Sequence, residues 1–320
     1  MATLSQPNHR LYNGYSIPFV RFRAALETEI RLAHYCRTSF IYASRWWEQH
    51  QGSYGRITDY PGDAGRPFSS IDVTVNDYRG AVREEAIAGV RANQIINVHT
   101  AFEVYLVDLV RRMIYLQPGL IEESGLNIAA GVLAAKITTT NVRSWFANLI
   151  AEHHMYNKSH TEMIEWVDRT CKFGILNGQK PLVKQWKKWS LIRNELIHGG
   201  RDIGLRLAKM WPERFGARQA LDDADTTNCH TTAHDLAAAI DVQARRSIIH
   251  DEDSKVFVRE IFVRYGTNDA AALSRRVWAH LKAKLSKNEV QAAIAYQQRT
   301  GESPILGCSC LEQVIASVGP

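Results

Sequence analysis

Apolar residues recur every three or four positions along most of the chain, which is the spacing of one face of an amphipathic α-helix. The longest run extends from about Arg79 to Gln117 and predicts a helix of more than about 30 residues, which Pro118 and Gly119 bring to an end. An earlier helix is predicted from Pro18 to Trp46-Trp47. The apolar stripe of the long helix comprises Val98, Phe102, Tyr105, Leu109, Met113 and Leu116.

Shorter helices follow in the second half of the chain. The same spacing predicts them at 141–155, 160–172, 181–198, 232–244, 256–263, 271–285 and 290–298. Thr231 or Thr232 is the predicted N-cap of the fourth of these, since a threonine hydroxyl can accept from the free amides of a first turn. The pattern therefore predicts a mostly α fold.

Two stretches break the helical period. Residues 51–70 are rich in glycine and proline, so they are predicted to form a loop. The alternating segment 71–75 is predicted to form a short strand or an extended arm, although one strand alone has no obvious partner.

Composition narrows the class of protein. The chain has 320 residues, of which 45% are apolar and 22% charged, so a disordered, fibrous or disulfide-scaffold protein is excluded. A net charge of +6 leaves a polyanionic partner open without identifying one. The N-terminus is polar, no run of about 18 apolar residues occurs, and the five cysteines show no framework spacing. These features predict a cytoplasmic protein with no membrane partner.

The segment 181–198 carries the most informative residues. Its apolar stripe passes through Trp186 and Trp189, and a further step of four residues reaches Arg193. A guanidinium on a buried stripe is costly unless it is paired or opens onto a cleft. Asn194 and His198 are four residues apart and so lie on one side of the helix. A cation, an amide and an imidazole are thus predicted at one helix end.

These side chains suit phosphoryl chemistry without a metal. An imidazole can take or give a proton near neutral pH, and a guanidinium can bind a phosphate and stabilise the charge that builds on its oxygens. Together they are sufficient to activate a ribose 2′-hydroxyl for attack on the adjacent phosphodiester. DNA lacks that hydroxyl, so RNA is the expected substrate, with no cofactor and no metal.

The pattern Arg193-Asn194-x-x-x-His198, followed by glycine, resembles the signature of HEPN domains. These are α-helical bundles, many of which are metal-independent endoribonucleases of toxin–antitoxin, phage-defence and RNA-processing systems. The segment 101–106 within the long helix, which contains a Phe-Glu pair, is also similar to the early core helix of the family. The resemblance covers about 80–250 and implies a HEPN-like bundle at 79–250, a helical extension and loop at 1–78, and a further helical region at 251–320.

The resemblance also implies a site and a partner. It identifies Arg193, Asn194 and His198 as the catalytic residues, with Glu103 supporting Arg193 from a neighbouring helix or serving as its counter-ion. In the family the motif helices of two domains face each other, which implies a homodimer with a composite cleft. It further implies a 2′,3′-cyclic phosphate product, a toxin or antiviral role, and an antitoxin or regulatory protein as partner.

Other interpretations of these residues stay open at this level. The motif helix can belong to a non-catalytic scaffold that binds RNA, a nucleotide or a partner protein. Lys184, Lys187 and Lys188 are candidate RNA-binding residues or a solvated helix face. Trp186 and Trp189 are more typical of core than of base-stacking positions.

Metal binding is the third alternative. Cys229, His230 and His234 include two imidazoles at positions i and i+4, a spacing that a metal ion can use, and His153-His154 with His160 forms a second histidine cluster.

Overall fold

The computed structural model describes residues 14–50, 74–77, 79–80, 83–117, 119–120, 142–198, 208–209, 211–215 and 221–301. Within these residues the protein is helical and contains no strand, which confirms the predicted mostly α class. None of the helices in the described part of the chain combines the length and apolarity that a membrane crossing needs.

The helices of the described residues are numbered here in chain order. Their bounds are α1 Ile17–Gln49, α2 Val75–Asp77, α3 Arg83–Leu116, α4 Val142–Met155, α5 His160–Cys171, α6 Ile175–Gly178, α7 Lys180–His198, α8 Pro212–Phe215, α9 Asp223–Ala244, α10 Glu252–Tyr265, α11 Ala270–Leu281 and α12 Lys287–Thr300. A π-helical turn, Arg245–Ile249, continues α9. The long helix predicted from the apolar stripe is α3, which has 34 residues.

The predicted start of α9 at Thr231 or Thr232 is wrong, because the helix begins eight or nine residues earlier, at Asp223. Asp222 and Asp225 each accept a hydrogen bond from the other's backbone amide, at 2.8 and 2.9 Å, and this reciprocal pair caps the first turn. The hydroxyls of Thr231 and Thr232 instead donate to carbonyls one turn back. Threonine is therefore an interior residue of this helix rather than its cap.

Helix α11 ends at Leu281, four residues before the predicted end. Lys282 adopts the left-handed conformation, with φ of 51°, and its amide donates to the carbonyl of Trp278. The predicted loop at 51–70 and the glycines that follow His198 lie outside the described residues.

The chain divides into two compact units. Met1–Ala24, Phe102–Val183 and His234–Pro320 make up the first, which we call the terminal unit, and Ala25–Ala101 and Lys184–Ala233 make up the second, which we call the motif unit. The boundaries fall inside α1, α3, α7 and α9, so each of these helices supplies residues to both units. The three consecutive ranges predicted from the sequence stay a prediction.

The terminal unit has an apolar core to which the start of α1 is fixed by buried polar groups. The core residues are Ile17, Phe257, Val258, Ile261, Leu273, Val277, Leu281, Ala283, Leu285, Val290, Ala293 and Ile294. The amide and hydroxyl of Ser16 donate to the Asp241 carboxyl, whose pKa burial raises to about 7. The amide of Ile17 donates to Asp253 at 2.7 Å, and Arg112 pairs with the same carboxylate.

In the motif unit, ionic contacts connect helices that are distant in sequence. Arg37 of α1 and Arg91 of α3 both pair with Asp223 at the start of α9. Asn97 of α3 donates to Glu29 of α1 at 2.8 Å. These contacts hold the second part of α1 against α3 and α9.

Gly14 occupies a position in the terminal unit that has no room for a side chain. A Cβ there would lie 2.6 Å from Arg245 Nη1 and 2.8 Å from the carbonyl oxygen of Leu281. We expect Gly14→Ala to lower the free energy of unfolding by about 1–3 kcal/mol, the usual cost of overpacking. Urea unfolding measures this. Gly178→Ala is the matched control, because its Cβ position has no atom of another described residue within 4 Å, apart from its chain neighbours and its own helix backbone. Equal unfolding midpoints for the two variants would contradict the prediction.

Candidate functional site

Helix α7, which bears the predicted motif, is amphipathic along its whole length. Trp186, Trp189, Ile192 and Leu196 are its buried residues. The buried stripe therefore passes through Ile192 and not through Arg193, the position reached by a step of four from Trp189. At about 100° per residue, Arg193 lies on the border of this stripe and His198 on the opposite side of the helix.

The two tryptophans are core residues that fix α7 within the motif unit. The Trp186 ring stacks on His99 of α3, with centroids 4.2 Å apart and planes 14° apart. The Trp189 ring donates from Nε1 to Asn228 Oδ1 of α9 at 3.2 Å. Both tryptophans are at most 1% exposed, which excludes them as base-stacking platforms and confirms the core interpretation.

Helix α8 packs beside the middle of α7. Lys188 pairs with Glu213, lowering the pKa of that carboxyl, and its ammonium lies 4.7 Å from the centre of the Trp211 ring. Arg214 pairs at 2.5 Å with Asp225, which is fully buried. The Lys188 ammonium therefore already has partners within the protein, whereas Lys184 and Lys187 are exposed.

The solvent-facing side of α7 carries most of the predicted site residues. One exposed stripe, with steps of three and four residues, consists of Lys184, Lys187, Leu191, Asn194 and His198. Leu191 is 40% exposed on this stripe, and Ile197, which lies on the Trp186 side of the helix, is 42% exposed near the helix end. The predicted common side for Asn194 and His198 is thus confirmed, and one apolar side chain, Leu191, accompanies them.

Arg193 is half-buried beside this stripe. Its Nη1 donates to Asn194 Oδ1 at 3.1 Å, so the two neighbouring side chains orient each other. Its Nε is buried and has no hydrogen-bond partner among the described residues. An unsatisfied buried donor on a cation is costly, which makes this group a candidate for binding an anion or for a role in catalysis.

The arrangement separates a restrained cation from an accessible base. Asn194 fixes part of the Arg193 guanidinium, while His198, the last residue of α7, is exposed to any molecule that approaches this end of the helix. Glu103, the predicted support of Arg193, lies 3.7 Å from His160 Nε2. Its pairing with Arg193 stays a prediction.

All the histidines of the two predicted clusters lie within the described residues. The residues that the structure describes include no group of three or more His, Cys, Asp or Glu placed to hold a metal ion. Cys229 and His230 are buried, which raises the pKa of the thiol and lowers that of the imidazole to about 4. His154 stacks on Trp166, with centroids 4.7 Å apart.

Sequence patterns did not identify the residues that hold the motif helix. His99 and Asn228 contact α7 from helices far away in the sequence, and no local spacing marks them. Leu191 has a detectable signal, because it is apolar and lies off the stripe of Trp186. An apolar residue on a polar helix face is a candidate contact with another molecule.

Comparisons with models of protein families, with curated protein sequences and with solved structures found no match to this chain. The likeness to HEPN domains therefore depends on the motif residues and their setting on α7.

Proposed function

We propose that the protein is a metal-independent endoribonuclease of the HEPN type, with its catalytic residues at the C-terminal end of α7. One observation carries this proposal: Arg193, half-buried and hydrogen-bonded to Asn194, stands beside the exposed stripe on which Asn194 and His198 lie. A phosphate-binding cation and an accessible proton-transfer group at one helix end are the two components that cleavage of an RNA backbone requires.

Each residue has a distinct role in the proposed reaction. His198 removes the proton from a ribose 2′-hydroxyl, and that oxygen attacks the adjacent phosphorus. Arg193 stabilises the negative charge that builds on the phosphoryl oxygens, and Asn194 holds the guanidinium in position. The bond between phosphorus and the 5′-oxygen of the next nucleotide breaks, and this oxygen takes up a proton from the solvent, to which the protonated His198 returns its own proton. The products are a 2′,3′-cyclic phosphate and a 5′-hydroxyl.

The proposed active form is a homodimer with facing α7 helices. The angle between Arg193 and His198 on one helix is about 140°, so a second copy helps to complete a cleft that one copy builds incompletely. Leu191 supplies exposed apolar surface for this contact, and Lys184 and Lys187, towards the other end of the same helix face, supply positive charge for the RNA. A cytoplasmic toxin or antiviral role, with an antitoxin or regulatory protein as partner, belongs to this proposal by resemblance alone.

Cleavage of RNA in excess EDTA tests the proposed function. Purified protein is incubated with three labelled substrates of one sequence. These are the RNA, the corresponding DNA, and the RNA with a methyl group on every 2′-oxygen. We expect cleavage of the RNA alone, at a rate that EDTA does not change. Cleavage of DNA, or loss of activity with EDTA, would contradict the proposed mechanism.

A non-catalytic scaffold that binds RNA or a nucleotide, or that dimerises, is the second candidate. The exposed apolar residues of α7 favour it as much as they favour the enzyme, because either needs a molecular contact there. Binding of the RNA without any cleavage would support the scaffold.

The proposed dimer predicts a change in mass for a single variant. Leu191→Asp places a charge in the contact between α7 helices, so we expect a monomer where the wild type is a dimer. Sedimentation velocity measures the masses. Val263→Asp is the control, since Val263 is 54% exposed on α10 and has no proposed contact. A Leu191→Asp variant that sediments like wild type would contradict the proposed interface.

A further inference from the structure

Helix α1 carries a second exposed strip in the motif unit. This strip contains none of the proposed catalytic residues. Its members are Arg31, Tyr35, Thr38, Tyr42 and Arg45, all of them exposed and separated by alternating steps of four and three residues. Such steps place them on one face of the helix. The two tyrosines are 67% and 72% exposed, unusually high values for aromatic side chains.

The charge of this segment is strongly one-sided. From Arg31 to Arg45 the sequence contains three arginines, one histidine and no acidic residue. Arg31 Nη2 lies 3.7 Å from Oε2 of Glu27, which is one turn earlier. The Arg31 side chain is 74% exposed and that of Glu27 is 56% exposed. Exposed pairs of this kind are weak, so a phosphate can replace the carboxylate.

Helix geometry spaces these groups regularly. The rise of 1.5 Å per residue puts the Cα atoms of Tyr35 and Tyr42 about 10 Å apart and those of Arg31 and Arg45 about 21 Å apart. Stacked nucleotides rise about 3.4 Å each, so the strip matches about six of them. Aromatic rings between cations are the usual components of surfaces that bind single-stranded nucleic acid.

A second copy of the chain is a poor occupant of the same strip. In an antiparallel pairing centred on the tyrosines, Arg31 of one copy lies beside Arg45 of the second copy. In a parallel pairing each arginine faces itself. Both arrangements bring like charges together, whereas a polyanion complements the strip along its whole length.

We propose that this strip of α1 binds single-stranded RNA, with bases stacked on Tyr35 and Tyr42 and phosphates contacted by Arg31 and Arg45. The choice of RNA depends on the proposed ribonuclease function, while the binding itself does not require cleavage. The strip would then hold the strand that α7 cleaves.

Fluorescence anisotropy with a labelled U12 RNA tests this inference, in EDTA and with His198→Ala in every protein so that no cleavage occurs. We expect Tyr35→Ala or Tyr42→Ala to raise Kd about 5- to 150-fold, the usual loss of one stacked base. Phenylalanine at either position should keep the parent affinity, and leucine should lose it, because only an aromatic ring stacks. Tyr156→Ala is the control, as Tyr156 is 44% exposed in the terminal unit.

The arginines have a separate readout. Removing two phosphate contacts from a single strand lowers the slope of log K against log salt by about 1.4, and we expect this change for Arg31→Ala combined with Arg45→Ala. Unchanged Kd values for the tyrosine variants would overturn the inference, as would a change in their sedimenting mass. Binding of U12 through the strip by a wild type that cleaves no RNA would refute the ribonuclease and leave the strip supported.

Discussion

We expect His198→Ala to slow RNA cleavage in EDTA by about 100- to 10,000-fold, the usual contribution of a general base or acid. Arg193→Ala should slow it by about 100- to 1,000-fold, since it removes stabilisation of the charge on the phosphoryl oxygens. His198 is exposed at the end of α7, so its replacement should leave the fold intact. Initial rates on one labelled RNA, with circular dichroism as a check of folding, measure both effects.

His153→Ala is the matched control for this experiment. His153 is an exposed histidine on α4 and has no place in the proposed reaction. The control should cleave RNA as fast as the wild type. Wild-type rates in the His198→Ala variant would remove the imidazole from the mechanism, and equal losses in all three variants would indicate damage to the fold.

The largest expected effect on stability is at the ion pair of Arg112 and Asp253. Their side chains are 7% and 1% exposed, and the Asp253 carboxylate also accepts the amide of Ile17. Asp253→Asn leaves the buried Arg112 guanidinium without the carboxylate that it contacts directly. We expect it to lower the free energy of unfolding by about 3–5 kcal/mol, measured by urea denaturation.

Two further variants separate charge from shape at this position. Arg112→Met combined with Asp253→Asn removes both charges and should recover most of the lost stability.

Asp241→Asn should cost less than Asp253→Asn, because burial raises the pKa of Asp241 to about 7 and the carboxyl is often neutral already. If Asp253→Asn unfolds at the wild-type urea concentration, the pair contributes little to the stability of the terminal unit.

The helices were predictable because the apolar period records which face of each one is buried. The stripe from Val98 to Leu116 identified α3, and the spacing of Trp186 and Trp189 placed α7 against the core. The start of α9 was not predictable from its threonines, since a capping pair of Asp222 and Asp225 outcompetes them.

For the candidate site, the sequence predicted which side chains share a face of α7 but not which residues surround them. Motif spacing placed Asn194 and His198 on one side of α7, which the structure confirms. The buried stripe of α7 continues through Ile192, and Arg193 beside it is only half-buried. The stacking of Trp186 on His99 joins residues almost 90 positions apart, and a sequence pattern contains no signal for such a pair.

The chemical nature of the RNA ends tests the central proposal most directly. One RNA with a single cleavage position is incubated with wild-type protein in EDTA, and both fragments are weighed by mass spectrometry. Attack by the 2′-hydroxyl, activated by His198, predicts a 2′,3′-cyclic phosphate on one fragment and a 5′-hydroxyl on the other, with neither fragment formed by His198→Ala. A 5′-phosphate with a 3′-hydroxyl, or the same fragments from the variant, would contradict the assignment of α7 as the catalytic helix.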